Sequence, residues 1–269
     1  MTLPVSIDSV GAACAYVMLT PDPYAKLMAA RAVARAWRLG RLAHRFDTAM
    51  PDRPARPATP KLLPPGQMPR RGKIGSERAR IAMLHALAHI EFVAIDLAFD
   101  LIGRFGGEFP RAFTDQWMQV GAEEAMHFAL LDRRLRQMGS HYGALPAHDG
   151  LWQAAEETAG DALARLAIVP MVLEARALDI TPATVERFES VGDSTTAKML
   201  QRIMHDEIRH VSAGTTWFSW ATNRLGVESA NHYQMLVKRH FRGSVKPPFN
   251  DSARRQAGLT EDFYAALAT

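Results

Sequence analysis

The chain has 269 residues, of which 48% are hydrophobic and 22% charged, a composition that excludes a disordered chain and indicates a globular protein. Cys14 is the only cysteine, which excludes a disulfide framework and a cysteine-based zinc site. The net charge of +4 is unevenly distributed, since residues 1–80 carry 14 Lys and Arg against 5 Asp and Glu, and residues 81–269 carry 18 against 23. The basic character therefore belongs to the N-terminal part of the chain.

Residues 1–50 are predicted to form a basic helical arm. Residues 22–46 have an amphipathic helical pattern in which several arginines lie close to one stripe. These arginines are Arg31, Arg35, Arg38 and Arg45. The first residues lack the charged start of a secretory signal, and no uninterrupted apolar run approaches the length of a transmembrane helix. We therefore expect a cytoplasmic protein without a membrane segment.

A proline-rich connector is predicted over residues 51–75. Seven of the 16 prolines lie between Pro51 and Pro69. Proline lacks a backbone N–H and has a fixed φ, so this stretch is excluded from a helix or a central strand. The connector is therefore expected to be extended, and to separate the arm from the helical part of the chain.

Residues 76–223 are predicted to form a bundle of four long helices in an all-α chain, because helical periodicity dominates and no strand alternation is convincing. Ser76 caps the first helix, Gly139 ends the second, and Pro170 interrupts the third. A connection of about fifteen residues separates the second helix from the third. The predicted helices are 76–103, 111–139, 154–179 and 193–223, with a short capped helix between the last two and a C-terminal helical extension over 224–269.

A glutamate and a histidine three residues apart occur on the apolar stripes of both the second and the fourth helix. These pairs are Glu124 with His127 and Glu207 with His210. The apolar stripes of the first and third helices each carry a lone glutamate. These glutamates are Glu91 and Glu174, and every residue of the second set lies 83 residues after its counterpart. Two helical hairpins therefore each offer a lone Glu and a Glu-x-x-His pair.

Such a set of buried acids indicates a dinuclear metal site. Glu91 and Glu124 are each about twelve residues from the loop that joins their helices, or about 18 Å, so they arrive at the same height. Four carboxylates in one core would repel each other, and two divalent ions about 3.5–4 Å apart would neutralise them. Imidazole and carboxylate ligands suit Fe or Mn more than Cu or Mg. The alternative is a set of buried acid–arginine pairs with Arg176 and Arg209, which leaves the 83-residue repeat unexplained.

Residues 76–223 resemble the ferritin-like di-iron and di-manganese carboxylate proteins, which hold this kind of ligand set in a four-helix bundle. The segments "HALAHIE", "YGALPAHDGLW", "VLEARALD" and "DEIRHV" resemble one uncharacterised bacterial family of ferritin-like proteins, of unknown function. The resemblance implies a ferritin-like bundle with a long crossover between helices two and three, and two Fe ions or an Fe/Mn or Mn/Mn pair. The ligands that it implies are Glu91, Glu124, His127, Glu174, Glu207 and His210.

Residues next to the ligands are candidates for supporting roles. By the same resemblance, Glu123 and Asp206 are candidates to orient a ligand histidine, with plain solvent-facing acids as the alternative. His85 and His89 lie four residues apart on the first helix and face away from Glu91. That placement favours a supporting or packing role for them, His89 included, over a separate metal site.

Two glycines and a proline lie within the long helices, where each costs stability. Gly121, Pro170 and Gly214 belong to the layer one turn above the metals. They predict either a close approach of helices two and four or a pocket for O₂ and a substrate, and we take the pocket as the hypothesis.

Three functions are compatible with this site. The first is an oxidase or oxygenase that activates O₂ to oxidise an unknown small organic substrate. The second is iron or peroxide handling, and the third is a metal-stabilised interaction module whose basic arm binds nucleic acid or another protein. One cysteine excludes the rubredoxin unit of a rubrerythrin, and a basic arm with a proline-rich connector fits poorly with a closed ferritin cage. Leu131 stands where the radical-generating reductase subunit has a tyrosine. These departures favour the oxidase or oxygenase.

The partners expected of such an enzyme are O₂, its substrate and an electron-donor protein, with a homodimer as a candidate assembly. Nucleic acid is not favoured, because the basic stripe of the arm lacks interleaved aromatic residues apart from Trp37. Docking of the basic helix on the acidic bundle is the simpler interpretation.

Overall fold

The computed structural model describes residues 3–4, 6–69 and 74–268. Within these ranges all regular secondary structure is helical, which confirms the all-α prediction, and extended segments pair only through isolated bridges. The chain divides into two compact units, Met1–Trp152 and Gln153–Thr269. The α-helices are α1 (Val10–Met18), α2 (Pro23–Arg38), α3 (Glu77–Phe105), α4 (Arg111–Gln137), α5 (Gly150–Glu157), α6 (Ala162–Ile168), α7 (Ala175–Ser190), α8 (Ser194–Leu225), α9 (Ser229–His240), α10 (Asp251–Gln256) and α11 (Glu261–Tyr264).

The hairpin of α3 and α4 forms the centre of the first unit. The Ser76 hydroxyl caps α3 by accepting a hydrogen bond from the Ala79 N–H, as predicted. Gly139 follows the end of α4 with a φ of +73°, a left-handed conformation that glycine adopts without strain. Both helix ends are therefore set by local residues, and the hairpin places Glu91 and the Glu124–His127 pair on its buried side.

Helix α2 packs on α4 through its apolar side. Leu27, Val33 and Trp37 are buried, and the Trp37 indole N–H donates to Asp115 Oδ1 over 2.8 Å. The helix therefore docks on the hairpin through apolar side chains together with Lys26, whose ammonium group pairs with the buried carboxylate of Asp96. The arginines of the helix, Arg31, Arg35 and Arg38, are exposed.

The basic helix is also shorter than predicted. It ends at Arg38, so Arg45 lies beyond it rather than on its stripe. The Arg45 guanidinium instead pairs with Asp8 over 3.0 Å and with Asp47 over 2.6 Å, all on exposed side chains. Exposed pairs of this kind add little stability.

The proline-rich connector is extended, as predicted, and is bound to the first unit along its length. The Ala55 N–H donates to the Met18 carbonyl, and the Leu63 N–H donates to the carbonyl of Ala147. Arg53 pairs with Asp149 over 3.3 Å. The connector therefore acts as a strap across the unit, although residues 70–73 lie outside the described residues.

A buried charge cluster ties this strap to α2 and α3. Lys26 of α2 and Arg56 of the strap both donate to the carboxylate of Asp96 on α3. The side chains of Lys26 and Asp96 are fully buried. Burial lowers the pKa of Lys26, and the Asp96 carboxylate opposes that shift. Breaking a buried pair of this kind costs about 3–5 kcal/mol, so the cluster fixes the three segments together.

Two histidines of α3 hold the connection that follows α4. His85 Nε2 accepts hydrogen bonds from the backbone N–H groups of Gly143 and Leu145, over 2.9 and 3.4 Å. His89 Nε2 lies 3.2 Å from the carbonyl oxygen of His148, which assigns the ring proton to Nε2. His89 Nδ1 then accepts from the Tyr142 hydroxyl over 2.9 Å. Both histidines are structural hydrogen-bond partners of this connection.

The second unit departs from the predicted helix boundaries. The predicted third helix, 154–179, is interrupted between α5 and α6 and again by a π-helical turn at Val169–Glu174. Helix α7 then continues through Pro182 to Ser190, so it includes the short helix that the sequence predicts as separate. Pro182 has no N–H to donate to the Leu178 carbonyl, and the Asn250 side-chain amide donates to that oxygen instead, over 3.1 Å.

Helix α8 is the longest helix of the second unit and carries the second Glu-x-x-His pair. It packs against α7 and the π-helical turn. The C-terminal part of the chain is anchored by Arg254, whose guanidinium donates two hydrogen bonds to the buried carboxylate of Asp179, over 2.8 and 2.7 Å. A buried bidentate pair fixes both distance and orientation.

One segment of the described chain, Glu77–Glu108, is long and apolar enough to cross a membrane. The segment is not an uninterrupted apolar run, because Glu91, Asp96 and Asp100 lie within it, so it does not contradict the expectation that no such run approaches that length. Within the structure 67% of its most apolar window is buried, and the helix carries the buried carboxylates Asp96 and Asp100. Such burial is typical of the core helix of a globular protein. A cytoplasmic location stays a prediction.

Candidate metal centre

The first hairpin brings three predicted ligands together. Glu124 and His127 lie one turn apart on the buried face of α4. His127 Nδ1 is 3.6 Å from Glu124 Oε2 and 3.4 Å from Glu91 Oε2, which α3 contributes. The i, i+3 spacing places Glu124 and His127 on one face of α4, and the packing of α3 against α4 adds Glu91.

The second hairpin repeats part of this arrangement. Glu207 and His210 are buried on α8, and His210 Nδ1 lies 3.4 Å from Glu207 Oε1. Glu174 is the last residue of the π-helical turn and is half-buried. The wider turn is associated with Pro170, which cannot donate to the α-helical hydrogen-bond ladder.

Four of the six predicted ligands form a group that could hold a metal ion. One ligand atom from each of Glu124, His127, Glu207 and His210 lies within 4.8 Å of the others, and all four residues are buried. Glu91 and Glu174 do not meet this 4.8 Å criterion, although Glu91 contacts His127.

The distances between ligand atoms fit a shared ion. Separations of 3.4 to 3.6 Å exceed the 2.7–3.2 Å typical of N–H···O hydrogen bonds. Two atoms that each lie about 2.1 Å from one ion, at a tetrahedral angle, are about 3.4 Å apart. Imidazole nitrogen with carboxylate oxygen is a donor set that suits Fe, Mn or Zn. The residues present therefore fit a bound divalent metal.

The arginines of the alternative interpretation pair with other acids. Arg209 Nη2 donates to Asp206 Oδ1 over 2.6 Å. Arg176 donates to the carbonyl oxygens of Lys246 and Pro248, over 2.9 and 3.0 Å, and lies 3.5 Å from Asp179. These contacts engage both guanidinium groups away from the predicted ligands.

The two acids that precede the Glu-x-x-His glutamates differ in environment. Asp206 is buried and also accepts from Arg202 Nε over 3.2 Å, so its carboxylate is held by the arginines one turn before and after it. Glu123 is half-buried and accepts from the Gln119 amide over 3.1 Å. A role in orienting a ligand histidine stays a prediction for both acids.

His89 does not support the ligands through its ring nitrogens. Both nitrogens contact the connection that follows α4, since Nδ1 contacts Tyr142 and Nε2 contacts His148. Burial lowers the pKa of His89 to about 3, and Arg56 adds to that decrease. Sequence analysis did not identify Tyr142 as the partner of His89, because the two residues are 53 positions apart and no local pattern predicts their contact.

The space predicted over two helical glycines is filled within each unit. A Cβ on Gly121 would lie 2.7 Å from the Phe99 ring, and a Cβ on Gly214 would lie 2.6 Å from the Pro170 ring. The prediction of empty space at these residues is therefore corrected: the glycines accommodate bulky neighbours. They allow α4 to approach α3 and α8 to approach the π-helical turn.

Comparisons with known proteins place the chain in a family. Residues 19–265 match the family DUF455, described as "Protein of unknown function". A protein of Haemophilus influenzae, described as uncharacterized, is 38% identical over 211 residues, which cover 76% of this chain and 73% of that protein. No solved structure matches the chain. Since the match covers most of the sequence, the chain belongs to the DUF455 family.

Proposed function

We propose that the protein is a dinuclear metal carboxylate oxidoreductase of the ferritin-like type, which uses Fe or Mn to react with O₂ and oxidise an organic substrate. The observation that carries the proposal is the buried group of Glu124, His127, Glu207 and His210. Its members come from two Glu-x-x-His pairs 83 residues apart, which is the ligand pattern of ferritin-like proteins. Glu91 and Glu174 would complete the six ligands.

In this proposal the ions supply the electrons and the binding positions that O₂ reduction requires. The chain contributes the geometry of the site. The glutamates would hold the ions through carboxylate oxygens and the two histidines through ring nitrogens, and the burial of Glu124, His127, Glu207 and His210 would limit the access of bulk water. Hydroxylation of a C–H bond by O₂ also consumes two electrons and two protons, and the second oxygen atom leaves as water. An electron donor is therefore required.

One observation favours iron or peroxide handling as the second candidate. The rings of Phe99 and Pro170 occupy the space at Gly121 and Gly214, where the sequence predicts room for a substrate. A site without such room suits small reactants, for which Fe(II) itself supplies the electrons. This candidate needs no organic substrate and no separate electron donor.

Metal analysis tests the shared part of both candidates. Protein expressed with added iron or manganese should hold about two ions per chain, and the double variant Glu207→Ala/His210→Ala should lose most of them. His205→Ala is the matched control, because His205 lies on the same helix with its side chain 71% exposed. Well-folded wild-type protein without a transition metal would overturn the proposal.

Titration with Fe(II) in air separates the two candidates. An oxidase that needs an organic substrate should consume O₂ only until the two bound Fe(II) ions of each chain are oxidised, and then stop. An iron-handling protein should continue through many equivalents of added Fe(II). Continued consumption would therefore reject the oxygenase and support the second candidate.

A further inference from the structure

A long groove runs along the surface between α2 and α4 in the first unit. Its volume is about 1150 Å³, and it continues into a second depression of about 700 Å³ toward Tyr142. Trp37 contacts Asp115 near the start of α4, and Tyr24 lines the groove together with Arg136 at the far end. The two helices are therefore antiparallel, and the groove follows their common axis.

The rim of this groove is strongly basic. Five arginines line it against two acids, and the acids already have contacts, since Asp115 accepts from Trp37 and Glu123 accepts from Gln119. The arginines are Arg31, Arg35 and Arg38 of α2 and Arg111 and Arg133 of α4. The groove therefore carries a local charge excess of +3, in the absence of any ligand.

Three of these arginines are available to a ligand. Arg31, Arg35 and Arg38 are exposed and lie on one side of α2. In the part of the chain that the structure describes, no side-chain hydrogen bond or ion pair involves any of them. Guanidinium groups bind carboxylates through pairs of parallel hydrogen bonds, so this row can receive a row of acidic side chains.

The floor of the groove is apolar and adaptable. It is built mainly from small residues and methionines, which allow a close approach and adjust to the shape of a partner. The floor residues are Met28, Ala32, Met118, Ala122, Met126 and Ala129. Trp37 is the one aromatic residue that lines the larger, 1150 Å³ part of the groove, and the Arg111 guanidinium covers its ring at 3.9 Å. Tyr24, which is 71% exposed, lines the second depression. The larger part of the groove thus lacks a free ring on which a nucleic-acid base would stack.

We propose that this groove binds an acidic amphipathic helix of a partner protein. An apolar floor between two helices, with charged side chains at its rim, is the surface on which an amphipathic helix lays its apolar face. The groove follows α4 from Arg111 to Arg133, or about 33 Å, which a helix of roughly 20 residues would span. Acidic residues along the flanks of that helix would pair with the arginines of α2.

Fluorescence anisotropy with the full-length protein tests the proposal directly. The probe is a labelled, helix-stapled 20-residue peptide with leucines at i, i+3, i+4 and i+7 and glutamates on both flanks. It should bind at least tenfold more tightly than a scrambled peptide of the same composition. Raising the salt concentration from about 50 to about 300 mM should weaken binding, because the Debye length falls by more than half.

Two variants identify the surface. Arg31→Glu/Arg35→Glu should lower the affinity for the peptide at least tenfold, whereas the matched reversal Arg187→Glu/Lys198→Glu, at exposed positions of the second unit, should leave it unchanged. Ala32→Trp should also weaken binding, because it fills the floor and keeps every arginine. Unchanged melting temperatures of the variants would show that they fold.

A labelled 20-nucleotide RNA is measured in parallel. The proposal is overturned if the acidic peptide binds no better than its scramble, or if Arg31→Glu/Arg35→Glu leaves its affinity unchanged. It is also overturned if RNA is the preferred ligand and Ala32→Trp has no effect on either probe. None of these outcomes depends on metal content, so the proposal for the groove and the proposal for the metal centre are tested independently.

Discussion

His85 shows how a single residue in this chain makes folding depend on pH. Its ring is buried, and its Nε2 accepts two backbone hydrogen bonds, which requires the neutral form. Burial lowers the pKa of His85 to about 4, His141 adds to the decrease, and Asp132 opposes it. The neutral ring therefore holds the connection that follows α4 in place.

We expect the protein to lose stability in mild acid because of His85. In the unfolded chain His85 takes up a proton below a pKa of about 6.5, whereas in the folded chain it does so only below a pKa of about 4. The neutral His85 ring therefore contributes fully to the free energy of unfolding above pH 6.5, and this contribution decreases as the pH falls. The decrease should be about 2 kcal/mol between pH 6.5 and 5. Urea unfolding at both pH values should show a smaller difference for His85→Gln. The control is His205→Gln, at an exposed site. The expectation is contradicted if His85→Gln loses as much stability between the two pH values as the wild-type protein.

At the scale of helices, two glycines determine how closely elements pack. The Phe99 ring lies over Gly121, and the Pro170 ring lies over Gly214. A glycine within a helix costs about 1 kcal/mol relative to alanine, and the packing of these rings offsets that cost. The contacts occur once in each unit, between α3 and α4 and between the π-helical turn and α8.

Substitution of Gly121 by alanine should destabilise the first unit. The new Cβ would lie 2.7 Å from the Phe99 ring, so the ring or the helix must shift, at a cost of about 1–3 kcal/mol. In a Phe99→Ala background the same substitution should become stabilising, because only the gain in helix propensity remains. A double-mutant cycle of unfolding free energies measures this coupling, and additive effects would show that the ring does not restrict the site.

The parts of the fold that local residues determine could be predicted from the sequence. The Ser76 cap, the Gly139 stop and the Glu-x-x-His pairs are short-range patterns, and the structure has each where the sequence predicts it. The continuation of α7 through Pro182 could not be predicted, because the hydrogen bond that replaces the lost one comes from Asn250, 72 residues after the carbonyl that accepts it. The filling of the space at the glycines is non-local in the same way.

At the scale of the whole molecule, the N-terminal quarter of the chain is a structural part of the first unit. Helix α2 buries Leu27 and Trp37 against the hairpin, and the strap adds Arg56 to the buried charge of Asp96. The basic arm that the sequence predicts therefore has an apolar side that the rest of the unit covers.

Removal of residues 1–75 should lower the melting temperature by more than 10 °C or make the protein insoluble. The deletion exposes the apolar surface of α3 and α4 and leaves Asp96 without Lys26 and Arg56, at a cost of several kcal/mol. Differential scanning calorimetry measures the change. A truncated chain with unchanged melting would show that the packing of the arm contributes nothing to stability.

The π-helical turn at Val169–Glu174 also has a consequence for how the two halves of the chain tolerate length changes. A π turn holds one residue more than an α turn, as a single-residue insertion would. This extra residue precedes Glu174, so the count from Glu174 to Glu207 still equals the count from Glu91 to Glu124. Deleting one residue such as Val172 should convert the turn to α-helix and keep the register of α7 and α8. A deletion between Glu174 and Glu207 has no extra residue to compensate for it, so it would shift Glu207 relative to Glu174.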